Sequence, residues 1–141
     1  MKYILSLFAL AMLFMTACSS TPRTAAPVAN VQAGEVYLKA SEINPADRSA
    51  PVWIALRNTG TATAVIIKAE SAWVKSVELR NGDKPVATVE IPAGATLDMT
   101  PTTNHVHLIG IPDAVKVGDT FGIALDYASS LQMPLTVTVR P

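Results

Sequence analysis

The chain has 141 residues, with 11 Lys+Arg against 11 Asp+Glu and a formal net charge of zero. That length suits one domain, and the charge balance excludes a strongly basic nucleic-acid binder or an acidic disordered tail. Half of the residues are hydrophobic, enough for a folded core. The single cysteine excludes an internal disulfide framework.

The N-terminus must be set aside before the domain is read. Lys2 supplies a short positive region, and Ile4 to Met15 is almost unbroken apolar sequence. A stretch of about a dozen residues falls short of the roughly twenty that a membrane-spanning helix needs. Ending in small residues, it reads as a secretory signal. Met15-Thr16-Ala17-Cys18 runs directly into the only cysteine and resembles the lipobox of bacterial lipoproteins. Cleavage would then leave residues 1–17 as the removed signal and Cys18 as the lipidated N-terminus. The plainer alternative is an ordinary signal peptide with a leftover thiol, a liability in an oxidising compartment. Several acyl chains at roughly 0.8 kcal/mol per buried methylene would hold the protein on a membrane essentially permanently. By resemblance to bacterial lipoproteins, Ser19 after the cysteine, in place of Asp, implies the outer membrane, with the domain facing the periplasm. Residues 18–34 then read as a flexible tether: small residues, two Pro, no periodicity.

Residues 35–141 are a succession of short Val-, Ile-, Thr- and Leu-rich segments broken by turn residues. Glu35–Glu42 is the first predicted strand, and Asn44–Asp47 a turn. Val52–Asn58 alternates, with Val52, Ile54 and Leu56 on one face and Trp53, Ala55 and Arg57 on the other. Asn58-Thr59-Gly60 turns the chain into Ala64–Ala69. Trp73–Arg80 alternates with Val77 and Leu79 inward and Glu78 and Arg80 outward. Asn81-Gly82 is the strongest hairpin signal, with Val86–Ile91 as its expected return strand. Pro92-Ala93-Gly94 leads to Thr96–Thr100, then come His105–Ile109, Thr120–Tyr127 and Met133–Arg140. About eight or nine strands at roughly ten-residue spacing, without a convincing helix, predict an all-β antiparallel sandwich or barrel.

The two histidines carry the chemistry. Residues i and i+2 of a strand share a face, about 6.6 Å apart, so His105 and His107 project together. If Val106 and Leu108 fill the core, both imidazoles face out of it and form half of a metal site, since zinc or copper takes three or four ligands. Two neighbouring surface histidines with no ligand are the bland alternative. Met99 shares a face with Leu97 and reads as core; Met133, before Pro134, could be core or ligand. The positions of Asp98, Glu78, Glu90 and Asp83 do not follow from spacing. No nucleophile turn, P-loop, G-x-G-x-x-G or H-E-x-x-H is present, so no enzymatic chemistry is predicted.

Val36 to Val139 resembles the periplasmic copper chaperone family PCuAC. Trp53–Gly60 is similar to its strand ending in N-T-G, Ser76–Leu79 to its V-E-L segment and Ile91–Gly94 to its I-P-A-G turn. His105–Gly110 stands where it has H-x-M-L-M-G, and Val117–Thr120 is similar to its G-D-T. The resemblance implies a cupredoxin-like β-sandwich with Greek-key topology. It also implies copper as the metal and a copper-accepting partner, such as a cytochrome oxidase subunit. The implied ligand set is a His, a Met about eleven residues on, then H-x-M. Here Arg80 occupies the first His position, and a guanidinium cannot ligate a metal and repels a cation. No Met lies between residues 70 and 98, His105 is retained and His107 replaces the last Met. Two imidazoles without thioethers shift the preference from Cu(I) toward Cu(II) or Zn(II). A divergent module that has lost its metal and binds a protein partner in the envelope is the alternative function.

Overall fold

The structure is a computed structural model and describes residues 25–141, so the signal segment and Cys18 lie outside the described residues. Ten strands follow one another: β1 Val31–Lys39, β2 Ala50–Asn58, β3 Ala64–Glu70, β4 Ser76–Asn81, β5 Lys84–Pro85, β6 Val89–Ile91, β7 Thr96–Met99, β8 Asn104–Ile109, β9 Thr120–Tyr127 and β10 Gln132–Arg140. The only helical element among the described residues is one 3₁₀ turn, Ala40–Glu42.

The strands form one ribbon in the order β5-β4-β8-β2-β1-β10-β9-β3-β6, with β7 added to β2. All pairs are antiparallel except β1 with β10. The ribbon curls until β3 packs against β4, which encloses one core. β2 is the hinge of the curl. Its first half, Ala50–Val52, pairs with β8, and its second half, Ile54–Arg57, pairs with β7 on the same edge.

The alternation in β2 reads directly as burial. Val52, Ile54 and Leu56 are at most 2 % exposed and meet Leu38, Ile66, Met99, Val106, Leu108, Leu125 and Val137 in the core. Each such side chain contributes about 1.5–3 kcal/mol through removal from water. Trp53 and Ala55, on the other face, are half-buried, and Arg57 is exposed.

The largest departures from the sequence expectation are in β1, at the start of β4 and in the hairpin that follows it. β1 begins at Val31, so the first four residues of the strand were read as tether. Its Ala-Gly stretch lacks β-branched residues, and the strand is held there instead by pairing of Val31–Ala33 with Leu56–Asn58. β1 also stops at Lys39, where the 3₁₀ turn takes over. β4 starts at Ser76, because Trp73 leaves the strand path to stack on Phe121 with ring centroids 4.0 Å apart. In the hairpin, Asn81 is the last ladder residue, paired with Lys84, and Gly82-Asp83 is the turn, with Gly82 at φ +56°. The return strand is the two-residue β5: Val86 N–H still donates to the Leu79 carbonyl at 2.9 Å, after which the chain leaves β4, and Val89–Ile91 pairs with β3 as β6 and not with β4 as expected.

Candidate metal centre

β8 carries the histidines between β2 and β4. Its core face presents Val106 and Leu108, both fully buried. Its other face presents His105 and His107, whose ring centroids are 5.5 Å apart at an interplanar angle of 67°. The register of β4 against β8 places Arg80 opposite His105 and Glu78 opposite His107, while β2 places Pro51 on the far side of His107. The four polar side chains therefore share one patch, which follows from two strands each contributing residues i and i+2.

The two rings differ in environment. Both lie on the face away from Val106 and Leu108, as expected, but His105 is covered there and only 2 % exposed. Its Nδ1 lies 2.9 Å from the Thr103 carbonyl. A carbonyl only accepts, so Nδ1–H donates and Nε2 keeps the lone pair. His107 is half-buried. Its Nδ1 is buried and, among the described residues, is the only buried side-chain nitrogen or oxygen without a hydrogen-bond partner. Burial pushes the His107 pKa below its ordinary 6.5, with smaller contributions from the positive Arg80 and from His105, against Glu78 and Asp47 acting upward. His107 is thus neutral at pH 7, with one buried nitrogen unused.

Arg80 and Glu78 satisfy one another. Arg80 Nε and Nη2 each lie 2.9 Å from the same Glu78 Oε2. The pair sets a cation beside two potential metal ligands and occupies the carboxylate that could have been a third. No group of three or more His, Cys, Asp or Glu able to hold a metal ion occurs among the described residues.

The remaining residues singled out in the sequence lie elsewhere. Met99 is 1 % exposed and stands opposite Ile54 in the core. Met133 on β10 pairs with Leu125, and the hydroxyl of Tyr127 points at its sulfur from 3.9 Å. β10 is three strands from β8 in the ribbon. Asp98 stands opposite Ala55 on β7 and Glu90 opposite Val65 on β6. Asp47 acts on His107 through the loop that follows the 3₁₀ turn, which no strand pattern could have disclosed. Trp53 ties down the start of this loop by donating from Nε1 to Glu42 at 2.7 Å.

A protein family described as "Putative lipoprotein LpqE-like" matches residues 31–139. A curated relative, "Putative lipoprotein Lxx21020" of Leifsonia xyli subsp. xyli, is 28% identical over 94 residues, which is 60% of this chain and 57% of that protein. This chain thus matches little more than half the length of that relative. Among solved structures, the copper-bound PCuAC domain from PmoF2 superposes with a TM-score of 0.67 at 18% identity, covering 78% of this chain and 92% of the other. The Cu(I) form of DR1885 from Deinococcus radiodurans gives 0.63 at 25% identity, covering 88% and 85%. The curled ribbon described above is therefore the cupredoxin-like β fold of PCuAC domains.

Proposed function

Because the chain belongs to the LpqE-like lipoprotein family, we propose that it is an envelope lipoprotein whose PCuAC-like domain takes up copper at His105 and His107 and passes it on. The observation that carries the reading is the unpartnered, buried Nδ1 of His107 beside a second imidazole whose Nε2 is free of the Thr103 bond. A buried polar atom without a partner costs about 1–3 kcal/mol, and an ion would relieve that cost. The depressed pKa of His107 keeps its lone pair available at neutral pH.

Two imidazoles are an incomplete set for Cu(II) or Zn(II). The missing ligands would come from the protein that delivers or receives the ion, which suits a cargo that must leave again. The anchor would be the acylated Cys18, and Ser19 behind it favours the outer membrane with the domain in the periplasm. A copper-accepting protein, such as a cytochrome oxidase subunit, would be the recipient. No catalytic role is assigned.

The Arg80–Glu78 pair supports a second reading, a metal-free module that binds a protein partner. A fixed guanidinium next to the imidazoles opposes a cation. A competition titration of residues 19–141 with both copper oxidation states separates the two. About one ion bound to the wild type, and none to the variant with His105→Ala and His107→Ala, supports the copper reading. Equal, negligible uptake by both leaves the metal-free module.

A further inference from the structure

The two ends of the sandwich differ in character. At one end lie the start of the described chain, residues 25–30, and the loops 59–63, 92–95 and 128–131. Asn58 holds the first three of these segments together. Its side-chain amide donates to the carbonyls of Ala62 and Ile91 at 2.7 and 2.9 Å, and its Oδ1 accepts from the backbone N–H of Asn30 and Gly60. Val28 and Asn30 are further bonded to Thr59, Thr61 and Ala62. Gly60 is required here, because a Cβ would lie 2.2 Å from the Val28 carbonyl. The 128–131 loop joins the same end through the Ala128 N–H, which donates to Val65.

None of these four segments contains a charged residue. Val28 is 63% exposed and Leu131 50%, and Ile67, next to the Ile66 that pairs with Tyr127, is 48% exposed. The opposite end, built from residues 40–49 and 110–119, carries Glu42, Asp47, Arg48, Asp113, Lys116 and Asp119. Its one exposed large apolar residue, Val117, sits beside Lys116. Arg57, Lys68, Glu90 and Asp126 stand at the rim of the uncharged end, two of each sign, with Lys68 directly opposite Asp126, so its character is apolar and not electrostatic.

We propose that this uncharged end is a lipid-contacting face, resting on the membrane surface that carries the acylated Cys18. The proposal builds on the lipoprotein reading. Cys18 is ten residue steps from Val28, at most about 35 Å when fully extended, and the chain arrives at this end and no other. β2 spans nine residues, about 30 Å, and ends at Asn58 in this end, while Pro51, the β2 partner of His107, lies near its opposite terminus. Contact through Val28 and Leu131 would therefore hold the face of β8 that carries half-buried His107 turned toward the aqueous compartment, where a soluble partner reaches it.

The test uses the full lipidated protein in phosphatidylethanolamine–phosphatidylglycerol vesicles, with a fluorophore on Ala93→Cys or on Ala114→Cys and quenching by brominated lipid. Position 93 should be quenched severalfold more than position 114. The double variant Val28→Glu with Leu131→Glu, both at exposed positions and checked for folding by circular dichroism, should bring position 93 down to the level of 114. Equal quenching at the two positions, or quenching at 93 that survives both glutamates, overturns the proposal. Mass analysis of the N-terminal peptide distinguishes the causes of failure: a missing acyl group removes the anchor and this face together, whereas an acylated protein with equal quenching removes the face alone.

Discussion

Asn58 and His107 are both polar side chains drawn into the protein, and the contrast between them separates structure from candidate chemistry. Asn58 is fully buried and meets four backbone groups with its amide, so every donor and acceptor it brings inside is used. Its backbone also bonds Ala95 and Gly94. It explains the Asn-Thr-Gly sequence as a clasp for the incoming chain. His107 has a buried nitrogen with nothing to bond and a pKa lowered first by burial. A satisfied network rigidifies a fold, whereas an unsatisfied group persists at a cost that the rest of the core must cover.

The largest effect should come from breaking the satisfied side. Asn58→Ala leaves two carbonyls and two N–H groups without partners and is expected to cost about 3–5 kcal/mol, read as a lowered denaturant midpoint. Gly60→Ala should cost nearly as much, about 3 kcal/mol, because the added methyl would meet backbone atoms of Val28, Ala29 and Asn30 at 2.2–2.8 Å and only a shift of that bonded segment relieves the clash. A cost below about 1 kcal/mol would mean that the segment yields freely.

The unsatisfied side should respond in the opposite sense. His107→Leu removes the orphaned nitrogen and is expected to leave stability unchanged or raise it by about 1 kcal/mol, while copper uptake is lost. A large destabilisation would reveal a structural bond that the geometry does not contain. Arg80→His replaces the guanidinium opposite His105 with an imidazole and should tighten copper binding several-fold in the same titration. An unchanged affinity would mean that the cross-strand position does not reach the ion.

The smallest effect is on pH. The folded-state pKa of His107 lies below the unfolded 6.5, so the folded protein binds fewer protons there. That contribution to stability is complete above pH 6.5 and fades as the pH falls toward the folded-state value. Chemical denaturation between pH 5 and 7 should show stability rising with pH, and His107→Leu should flatten the slope.

Much of this was legible in the sequence, for identifiable reasons. Alternation fixed the buried face of β2, and Gly-, Pro- and Asn-containing turns marked most strand ends. The His105–His107 juxtaposition followed from strand periodicity alone. What escaped depends on register and on loops. The resemblance put Arg80 at a ligand position of the same site, but its place directly across from His105 needs the exact offset of β4 against β8, which turns on whether Asn81 belongs to the turn or to the ladder. The enclosure of His105 depends on the turn before it, which brings the Thr103 carbonyl to the ring. The start of β1 at Val31 is held by partners across the sheet, and its own residues give little sign of it.

The proposed copper site stands or falls with the two imidazoles of β8. The most direct measurement is the copper competition titration of residues 19–141, run in parallel with the His105→Ala, His107→Ala double variant. About one ion is expected on the wild type and none on the variant. Uptake that is the same in both, whether negligible or substantial, would contradict the proposal.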